Sequence, residues 1–190
     1  MELMARYEDN HFDLAIVDPP YRDSNQPTKD MRANGSMKSL EGRPSKEYFK
    51  ELFRVSKEQI IWGANNFELP QWKGFVAWKK KTIGISFTMS MVEVASLSEN
   101  LGTTSKWIEI APQNPNRIHP TQKPVKLYEW LLMNYAKEGE KILDTHLGSG
   151  SIAIACQNLG FDLTACELDK EYFEAAMKRI NNHKSQIRLF

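Results

Sequence analysis

Four consecutive residues combine a carboxylate with an aromatic ring at the end of an apolar stretch: Asp18, Pro19, Pro20 and Tyr21. The residues before this Asp-Pro-Pro-Tyr motif are mostly apolar, and the double proline ends a strand because proline has no N–H for the ladder. We interpret residues 12–17 as a buried strand of an α/β sheet. Its carboxyl edge, where open α/β sheets bind ligands, would carry the carboxylate and the ring. An ordinary tight turn is the alternative, since Asp and Pro are common turn residues.

A second candidate site is a turn that contains two glycines, and we call it the glycine turn: Asp144, Thr145, His146, Leu147, Gly148, Ser149 and Gly150. Glycine lets a ligand approach the backbone closely, and the helix predicted behind the turn offers free N–H groups at its amino end. Glu167 follows at about the twenty-residue spacing of an acid that binds ribose hydroxyls. Two glycines match a dinucleotide fingerprint poorly. The turn therefore indicates a nucleoside-type ligand without pyrophosphate, or only a tight connection between strand and helix.

Alternating strands and helices must position these residues. Short apolar runs predict further strands at 59–62, 74–78, 91–97, 107–110, 141–144 and 161–167. Apolar periodicity and capping residues predict helices after Ser45, from Pro124, over 151–159 and over 170–183. Residues 1–10 are interpreted as the end of another helix. Residues 22–45 show no apolar periodicity, which predicts a long mobile loop.

The size and composition of the chain limit its class. A length of 190 residues fits one domain, and 41% hydrophobic residues are enough for a core. Cys156 and Cys166 lie among apolar residues and are interpreted as reduced core thiols, not as a disulfide or a metal site. The sequence shows neither an apolar run of about 20 residues nor a signal-peptide pattern, so we expect a cytoplasmic protein without a membrane segment.

The basic residues are concentrated in the middle of the chain, although the net charge is only +1. The segment 71–92 contains four lysines and no acid, and three of the lysines are consecutive: Lys79, Lys80 and Lys81. A basic surface of this kind is typical of contact with phosphates, so we predict that these three residues bind a phosphate backbone. A solvated surface loop is the alternative.

Together, three motifs resemble the amino-methyltransferases of DNA, which transfer a methyl group from S-adenosylmethionine to the exocyclic nitrogen of adenine or cytosine. They are the Asp-Pro-Pro-Tyr motif, the glycine turn with Glu167, and between them the run His119, Pro120, Thr121, Gln122, Lys123 and Pro124. Their order is the permuted order of the family's β group, and small phage or restriction-modification methylases are most similar. The resemblance covers roughly residues 12–180. It implies a single-domain Rossmann-like α/β fold: a mostly parallel sheet with helices on both faces and an antiparallel edge strand.

The resemblance also implies roles for individual residues. Asp18, Pro19, Pro20 and Tyr21 would be catalytic: the carboxylate and the carbonyl of Pro19 accept the N–H bonds of the target amine, and Tyr21 stacks on a base swung out of the duplex. The cofactor would be bound by residues of all three motifs: Asp18, Thr121, Gln122, Lys123, Asp144, Thr145, His146, Gly148, Ser149, Gly150 and Glu167. In this set, residues 121–123 meet the methionine carboxylate and Glu167 binds the ribose. His119 either contributes there or only shapes the turn.

The chain departs from the family pattern in two places. Asp144, Thr145 and His146 stand where the family usually has Asp-Pro-Phe. The family's strand before the catalytic strand often contacts the adenine ring, but the residues before Phe12 are too few for it, so we expect residues 1–5 or 187–190 to replace it. We further expect a minimal target-recognition region within residues 79–118, and the loop at 22–45 to close over the flipped nucleotide.

The predicted activity is methylation of adenine N6 in DNA, because Asp rather than Ser precedes Pro-Pro-Tyr in the adenine-specific members that this chain resembles. Three alternatives stay open: methylation of cytosine N4, methylation of RNA or of a protein side chain, and a non-catalytic cofactor-binding subunit. DNA is the predicted partner. A homodimer and a cognate restriction endonuclease without direct contact are further candidates, and no membrane contact is expected.

Overall fold

The computed structural model of the protein describes residues 1–21, 24–25, 40–86, 90–112 and 117–187. Within these ranges the strands are β1 (Phe12–Val17), β2 (Ser24–Asn25), β3 (Leu40–Glu41), β4 (Ser56–Trp62), β5 (Phe75–Lys80), β6 (Val92–Leu97), β7 (Lys106–Ile110), β8 (Lys141–Asp144) and β9 (Asp162–Ala165). The helices are α1 (Lys46–Val55), α2 (Val125–Tyr135), α3 (Ser151–Leu159) and α4 (Lys170–Ile187). A single 3₁₀ turn, Met4–Arg6, stands where the end of a helix was expected.

Seven of these strands form one sheet in the order β7-β5-β6-β4-β1-β8-β9. β1 lies between β4 and β8 and pairs in parallel with both. The predicted fold class is therefore confirmed: an α/β protein with a mostly parallel sheet. The expected position of the antiparallel strand was wrong. β6 is antiparallel to both of its neighbours and lies inside the sheet, because β5 and then β7 continue the sheet beyond it.

Helices cover both faces of this sheet. Leu14 and Ile16 of β1 face the core formed with α2, α3 and α4, whereas Ala15 and Val17 face α1 and the amino-terminal turn. This alternation follows from the two-residue period of a strand, and all four side chains are almost completely buried. Burial of side chains of the size of Leu or Ile contributes about 1.5–3 kcal/mol each, which fixes the register of the central strand.

The loop predicted at residues 22–45 is partly structured at its ends. β2 and β3 pair as a short antiparallel ladder, while residues 26–39 lie outside the described part of the chain. α1 begins after Ser45, whose hydroxyl oxygen accepts the N–H of Tyr48 at 3.4 Å and caps the helix as expected. Among the helices of the described ranges, none combines the length and the apolar character that a bilayer crossing requires.

Candidate active site

The Asp-Pro-Pro-Tyr motif and the glycine turn line one cavity of about 830 Å³. The reason lies in the sheet: β1 and β8 are parallel neighbours, with Leu14 opposite Ile142, so both strands end at the same edge. Residues 18–21 leave β1 at this edge, and residues 145–149 leave β8. Two segments separated by more than a hundred residues in sequence therefore form walls of the same cavity.

The carboxylate of Asp18 is largely enclosed, with 10% of its side chain exposed. Its Oδ1 accepts the hydroxyl of Tyr21 at 2.7 Å, and its Oδ2 accepts the ammonium of Lys123. Burial raises the pKa of Asp18, while the charge of Lys123 opposes that rise. Each carboxylate oxygen has two lone pairs, so Asp18 can accept further hydrogen bonds from a ligand.

The ring of Tyr21 packs directly on Gly63, the residue after β4. A Cβ atom at Gly63 would lie 2.1 Å from the ring, and the φ of +67° is in the left-handed region that favours glycine. Gly63 therefore gives Tyr21 the space to reach Asp18. The ring also has an edge contact with Phe67, with centroids 6.2 Å apart. Stacking of Tyr21 on a flipped base stays a prediction.

Lys123 belongs to a buried chain of alternating charges. Its ammonium contacts Asp18 and lies 3.0 Å from Oε2 of Glu93, and only 2% of its side chain is exposed. The other oxygen of Glu93 lies 2.5 Å from the ammonium of Lys80. Despite the opposing effect of burial, the two lysines hold the pKa of Glu93 at about 2. Burial likewise opposes the charge of Lys123, but Asp18 and Glu93 keep its pKa above the ordinary value.

Sequence reasoning gave Glu93 no role and assigned Lys80 to the DNA backbone. The prediction for Lys80 was wrong: the side chain is buried, paired with Glu93, and 5.4 Å from the ring centroid of Trp78. The two-residue period of the strands predicts that both side chains face the core. Lys80 follows Val76 and Trp78 on the core face of β5, and Glu93 precedes Ala95 on the core face of β6.

The other two lysines of the run are at the surface. Lys79 is partly exposed and lies 3.4 Å from Glu109, with its ammonium 5.8 Å from the ring centroid of Trp107. Lys81 follows β5 and is exposed. Contact of these two residues with DNA phosphates stays a prediction.

Hydrogen bonds and close packing fix the conformation of the glycine turn. The N–H of Gly148 donates to Oε2 of Glu167 at 2.8 Å, and the φ of Gly148 is +52°. A Cβ atom at Gly148 would lie 3.3 Å from the ring of His119, which packs beneath the turn. The hydroxyl of Ser151 donates to the carbonyl of Lys123 at 2.7 Å, which connects the start of α3, behind the glycine turn, to the run 119–124. These contacts set the floor of the cavity.

Two residues of the glycine turn shape it from behind and do not line the cavity: Asp144 and Gly150. Direct contact of either residue with a cofactor stays a prediction. Asp144 is 2% exposed, its Oδ1 accepts the N–H of His146 at 2.9 Å, and burial raises its pKa to about 8. Gly150 has φ +73°, and a Cβ atom there would lie 2.9 Å from Ile180 of α4.

Thr145 and His146 line the cavity together with Tyr48 of α1. The hydroxyls of Tyr48 and Thr145 are 2.7 Å apart, and Thr145 Oγ1 is 3.0 Å from Nδ1 of His146. The rings of Tyr48 and His146 meet edge to face, with centroids 5.3 Å apart. Burial lowers the pKa of His146 to about 4, so its imidazole is neutral at pH 7. Tyr48 was not predicted as a site residue, because it comes from the predicted buried face of a helix.

The motif around Lys123 also reaches the cavity through Thr121 and Gln122, of which Thr121 is exposed and Gln122 buried. The N–H of Thr121 donates to Nδ1 of His119 at 3.4 Å, and the ring of His119 packs edge-on against Tyr172. His119 thus shapes this turn and also lines the cavity. Burial lowers its pKa to about 4.

Two outer parts of the cavity bear on the expected roles of residues 1–5 and 187–190 and on the thiols. Met1, Glu2 and Leu3 line the cavity, whereas 188–190 lie outside the described residues. Cys166 also lines it, in contrast to the core position expected for it, while Cys156 is buried. Burial raises the pKa of Cys166 to about 11, so its thiol is protonated at pH 7.

The residues that face the cavity fit a nucleoside-type ligand. The carboxylate of Glu167 accepts backbone N–H groups of Gly148 and Asp169, which leaves lone pairs for ribose hydroxyls. Gly148 carries no side chain over the turn, and a Cβ atom there would meet the ring of His119. The fold and the cavity together define a Rossmann-like protein with a nucleoside-type site at the carboxyl edge of its sheet.

The comparison with protein families identifies the chain more closely. The model of the N6/N4 methyltransferases, described as DNA methylase, matches residues 61–178, which include Lys123, the glycine turn and Glu167. The chain belongs to this DNA methylase family.

Curated relatives and solved structures agree with this assignment. The type II methyltransferase M.HpaI of Haemophilus parainfluenzae is 39% identical over 70 residues, which are 36% of this chain and 22% of that protein. M2.DpnII of Streptococcus pneumoniae is 40% identical over 62 residues, 33% of this chain and 23% of that protein. The match thus spans less than a quarter of the length of these curated relatives.

Two solved structures share the fold over most of the chain. The M1.HpyAVI–SAM complex has a TM-score of 0.64 at 20% identity, covering 94% of this chain and 92% of that chain. The cytosine-N4-specific PvuII DNA methyltransferase has a TM-score of 0.63 at 12% identity, covering 98% and 89%. At these identities the similarity establishes the fold.

Proposed function

We propose that the protein is an S-adenosylmethionine-dependent DNA methyltransferase that modifies the exocyclic N6 of adenine. The observation that carries the proposal is that Asp18 and the glycine turn line the same cavity. Methyl transfer requires the target amine and the methyl group of the cofactor to meet in line. A carboxylate that binds the amine must therefore lie beside the site that binds the cofactor. The solved complex of M1.HpyAVI with its cofactor has the same fold, which supports the choice of cofactor.

The residues of this chain have distinct parts in the proposed reaction. S-adenosylmethionine supplies an electrophilic methyl group when it is bound. The lone pair of the adenine amino group is delocalised into the ring, so the amine is a poor nucleophile. Asp18 and the carbonyl of Pro19 accept its two N–H bonds, which favours a pyramidal nitrogen with a localised lone pair. As this lone pair bonds to the methyl carbon, the S–C bond would break, S-adenosylhomocysteine would leave, and one N–H proton would pass by way of the Asp18 carboxylate to solvent. Positioning and electrostatics thus provide the catalysis, without a covalent enzyme intermediate.

The cofactor is assigned to the glycine-turn side of the cavity. Glu167 accepts the ribose hydroxyls, and Gly148 and Ser149 form the wall beside the methionine portion. Thr121 and Gln122 are proposed to meet the methionine carboxylate. The ammonium of Lys123, which was predicted with them, contacts Asp18 and Glu93. Met1, Glu2 and Leu3 line the cavity and are proposed to contact the adenine ring of the cofactor.

DNA is the proposed substrate, and its target base must leave the duplex to reach Asp18 at the end of β1. The loop at residues 22–45 and the region 79–118 are proposed to contact the DNA, with Lys79 and Lys81 on phosphates. The relatives M.HpaI and M2.DpnII are named as type II methyltransferases, which supports a place in a restriction-modification system.

Methylation of cytosine N4 is the second candidate function. The specific observation in its favour is the PvuII enzyme, which is cytosine-N4-specific and shares the fold over 98% of this chain. Both amines are exocyclic and conjugated with a ring, so the same pair of acceptors would serve either base.

Transfer of tritium from labelled S-adenosylmethionine to DNA, followed by nucleoside analysis, tests the proposal. The expected result is label in N6-methyldeoxyadenosine from DNA. Label in N4-methylcytosine selects the second candidate. RNA or protein labelled in place of DNA, or bound cofactor without any transfer, contradicts the proposal. Sequencing of the modified DNA then gives the recognised site.

A further inference from the structure

The buried charges next to the proposed methyl-transfer site extend beyond the Asp-Pro-Pro-Tyr motif and Lys123. Glu93 of β6 contacts two lysines, with Oε2 at 3.0 Å from Lys123 and Oε1 at 2.5 Å from Lys80. The hydroxyl of Tyr21 lies 3.4 Å from Oε2 of Glu93 and 2.7 Å from Asp18, so it bridges the two acids. Neither Glu93 nor Lys80 lines the cavity.

The composition of this cluster matters for the carboxylate of Asp18. Removing charges from water is costly, and a buried ion is tolerated when opposite charges and hydrogen bonds surround it. Two ammonium groups and two carboxylates balance each other here. If Lys123 were paired with Asp18 alone, its full positive charge would stabilise the carboxylate charge. Asp18 would then be a weaker acceptor of N–H bonds. Glu93 instead takes a share of the charge of Lys123.

We propose that Glu93 and Lys80 are positioning residues of the methyl-transfer site: Glu93 holds the ammonium of Lys123 beside Asp18 and shares its charge, and Lys80 balances Glu93. This inference rests on the proposed function. It explains why a lysine at the end of β5 points into the core face of the sheet, where a lysine is rarely found without a partner. It also gives Lys123 a place on the acceptor side of the cavity.

The charges of this cluster also affect how the reaction depends on pH. The ionised form of Asp18 accepts the amine, so activity appears as the pH rises through the pKa of Asp18. The charge of Glu93 raises that pKa and the charge of Lys123 lowers it. Neutralising Glu93 therefore moves the acidic limb of the profile to lower pH and weakens the acceptor. The other titratable groups that interact with this cluster are Tyr21, His119, Tyr128 and Asp144.

Two variants separate positioning from folding. Glu93→Gln leaves Lys80 buried without its acid, so we expect a lower free energy of unfolding in urea as well as a lower kcat. The double variant Lys80→Met with Glu93→Gln restores the balance of charges and should recover stability. If the cluster positions Asp18, kcat at saturating cofactor and DNA stays about tenfold or more below wild type in both variants. The acidic limb of kcat moves down by about one pH unit.

The matched control is Glu68→Gln, which removes an ion pair with Lys46 at the surface and should leave both kcat and the pH profile unchanged. Recovery of kcat together with stability in the double variant would show that the cluster is only a structural ion pair. An acidic limb that does not move would contradict the effect on Asp18. If the wild-type protein does not methylate DNA in this assay, the proposed function is refuted and not the inference about Glu93 and Lys80.

Discussion

At the scale of single residues, the approach of Tyr21 to Asp18 depends on the missing side chain of Gly63. The ring lies where a Cβ atom would be, and the hydroxyl reaches the carboxylate at 2.7 Å. This hydrogen bond orients one oxygen of Asp18, and Lys123 orients the other. The acceptor geometry is thus set by packing on β4 as much as by the Asp-Pro-Pro-Tyr motif itself.

Gly63→Ala is expected to displace the ring of Tyr21 and to lower the rate of methyl transfer about tenfold or more, because the acceptor loses its orientation. The backbone strain at φ +67° adds a loss of stability of about 1–2 kcal/mol. Single-turnover methyl transfer and unfolding in urea measure the two effects.

Gly139→Ala is the matched control for that variant. Its φ is +82°, but the space around its Cβ position is open, so it should show the backbone strain without the clash. Equal rates in the two variants would contradict the role of Gly63 in placing Tyr21.

At the scale of elements, the connection from β8 to α3 contains a carboxyl that is protonated in the folded protein. Burial raises the pKa of Asp144 to about 8, although its bond from the N–H of His146 opposes the rise. In the unfolded chain the same group ionises near its ordinary value of 3.8. Between these two pH values the folded state holds a proton that the unfolded state has released, so stability falls as the pH rises from about 4 to about 8.

Asp144→Asn keeps an acceptor for the N–H of His146 and cannot ionise. We expect its melting temperature to match that of the wild type near pH 4 and to exceed it at pH 8.5, by about 2–4 °C for each kcal/mol of stability that the wild type loses. Calorimetry at both pH values checks this. Asp162→Asn, at an exposed position of β9, should keep the wild-type pH dependence. A variant that is less stable than the wild type at pH 8.5 would contradict the assignment.

Most elements could be predicted from local sequence signals. Pro19 and Pro20 end β1 because they have no N–H for the ladder, and Ser45 caps α1 because its hydroxyl accepts a backbone N–H. Gly160 ends α3 because it adopts the left-handed conformation without a Cβ clash. The order of strands could not be predicted in the same way. The internal position of β6 depends on β7 pairing with β5, a contact between segments separated in sequence.

The residues of the candidate site likewise fall into those that local sequence signals predict and those that depend on strand pairing. Asp18, Gly148 and Glu167 stand at the ends of predicted strands, so their approach follows from parallel pairing. The pairing of Lys80 with Glu93 requires the antiparallel register of β5 and β6, in which Trp78 is opposite Glu93. The run of three lysines was therefore interpreted as one surface, although alternation along β5 separates its members.

At the scale of the whole molecule, the distribution of charge bears on DNA binding. Lys79 and Lys81 remain at the surface near the end of β5, at the same side of the sheet as the cavity. Each phosphate contact of a lysine contributes about 0.9 to the slope of log K against log salt concentration. Replacing both by Gln is expected to reduce the magnitude of that slope by about 2 and to weaken binding to all sequences alike.

Lys137→Gln is the control for this loss of charge, because Lys137 is exposed and lies before β8 at the opposite edge of the sheet. Titration of labelled DNA at several salt concentrations measures the slope. An unchanged slope in the variant of Lys79 and Lys81 would remove these residues from the DNA interface.

The proposed reaction requires that Asp18 and the cofactor act across one cavity. The most direct test measures methyl transfer and cofactor binding in Asp18→Asn, which keeps the size of the side chain. We predict that transfer to DNA falls roughly 10²–10⁴-fold while the dissociation constant for S-adenosylmethionine stays within about threefold of the wild type. Transfer at the wild-type rate, with the cofactor bound as before, would contradict the role of Asp18 and with it the proposed site.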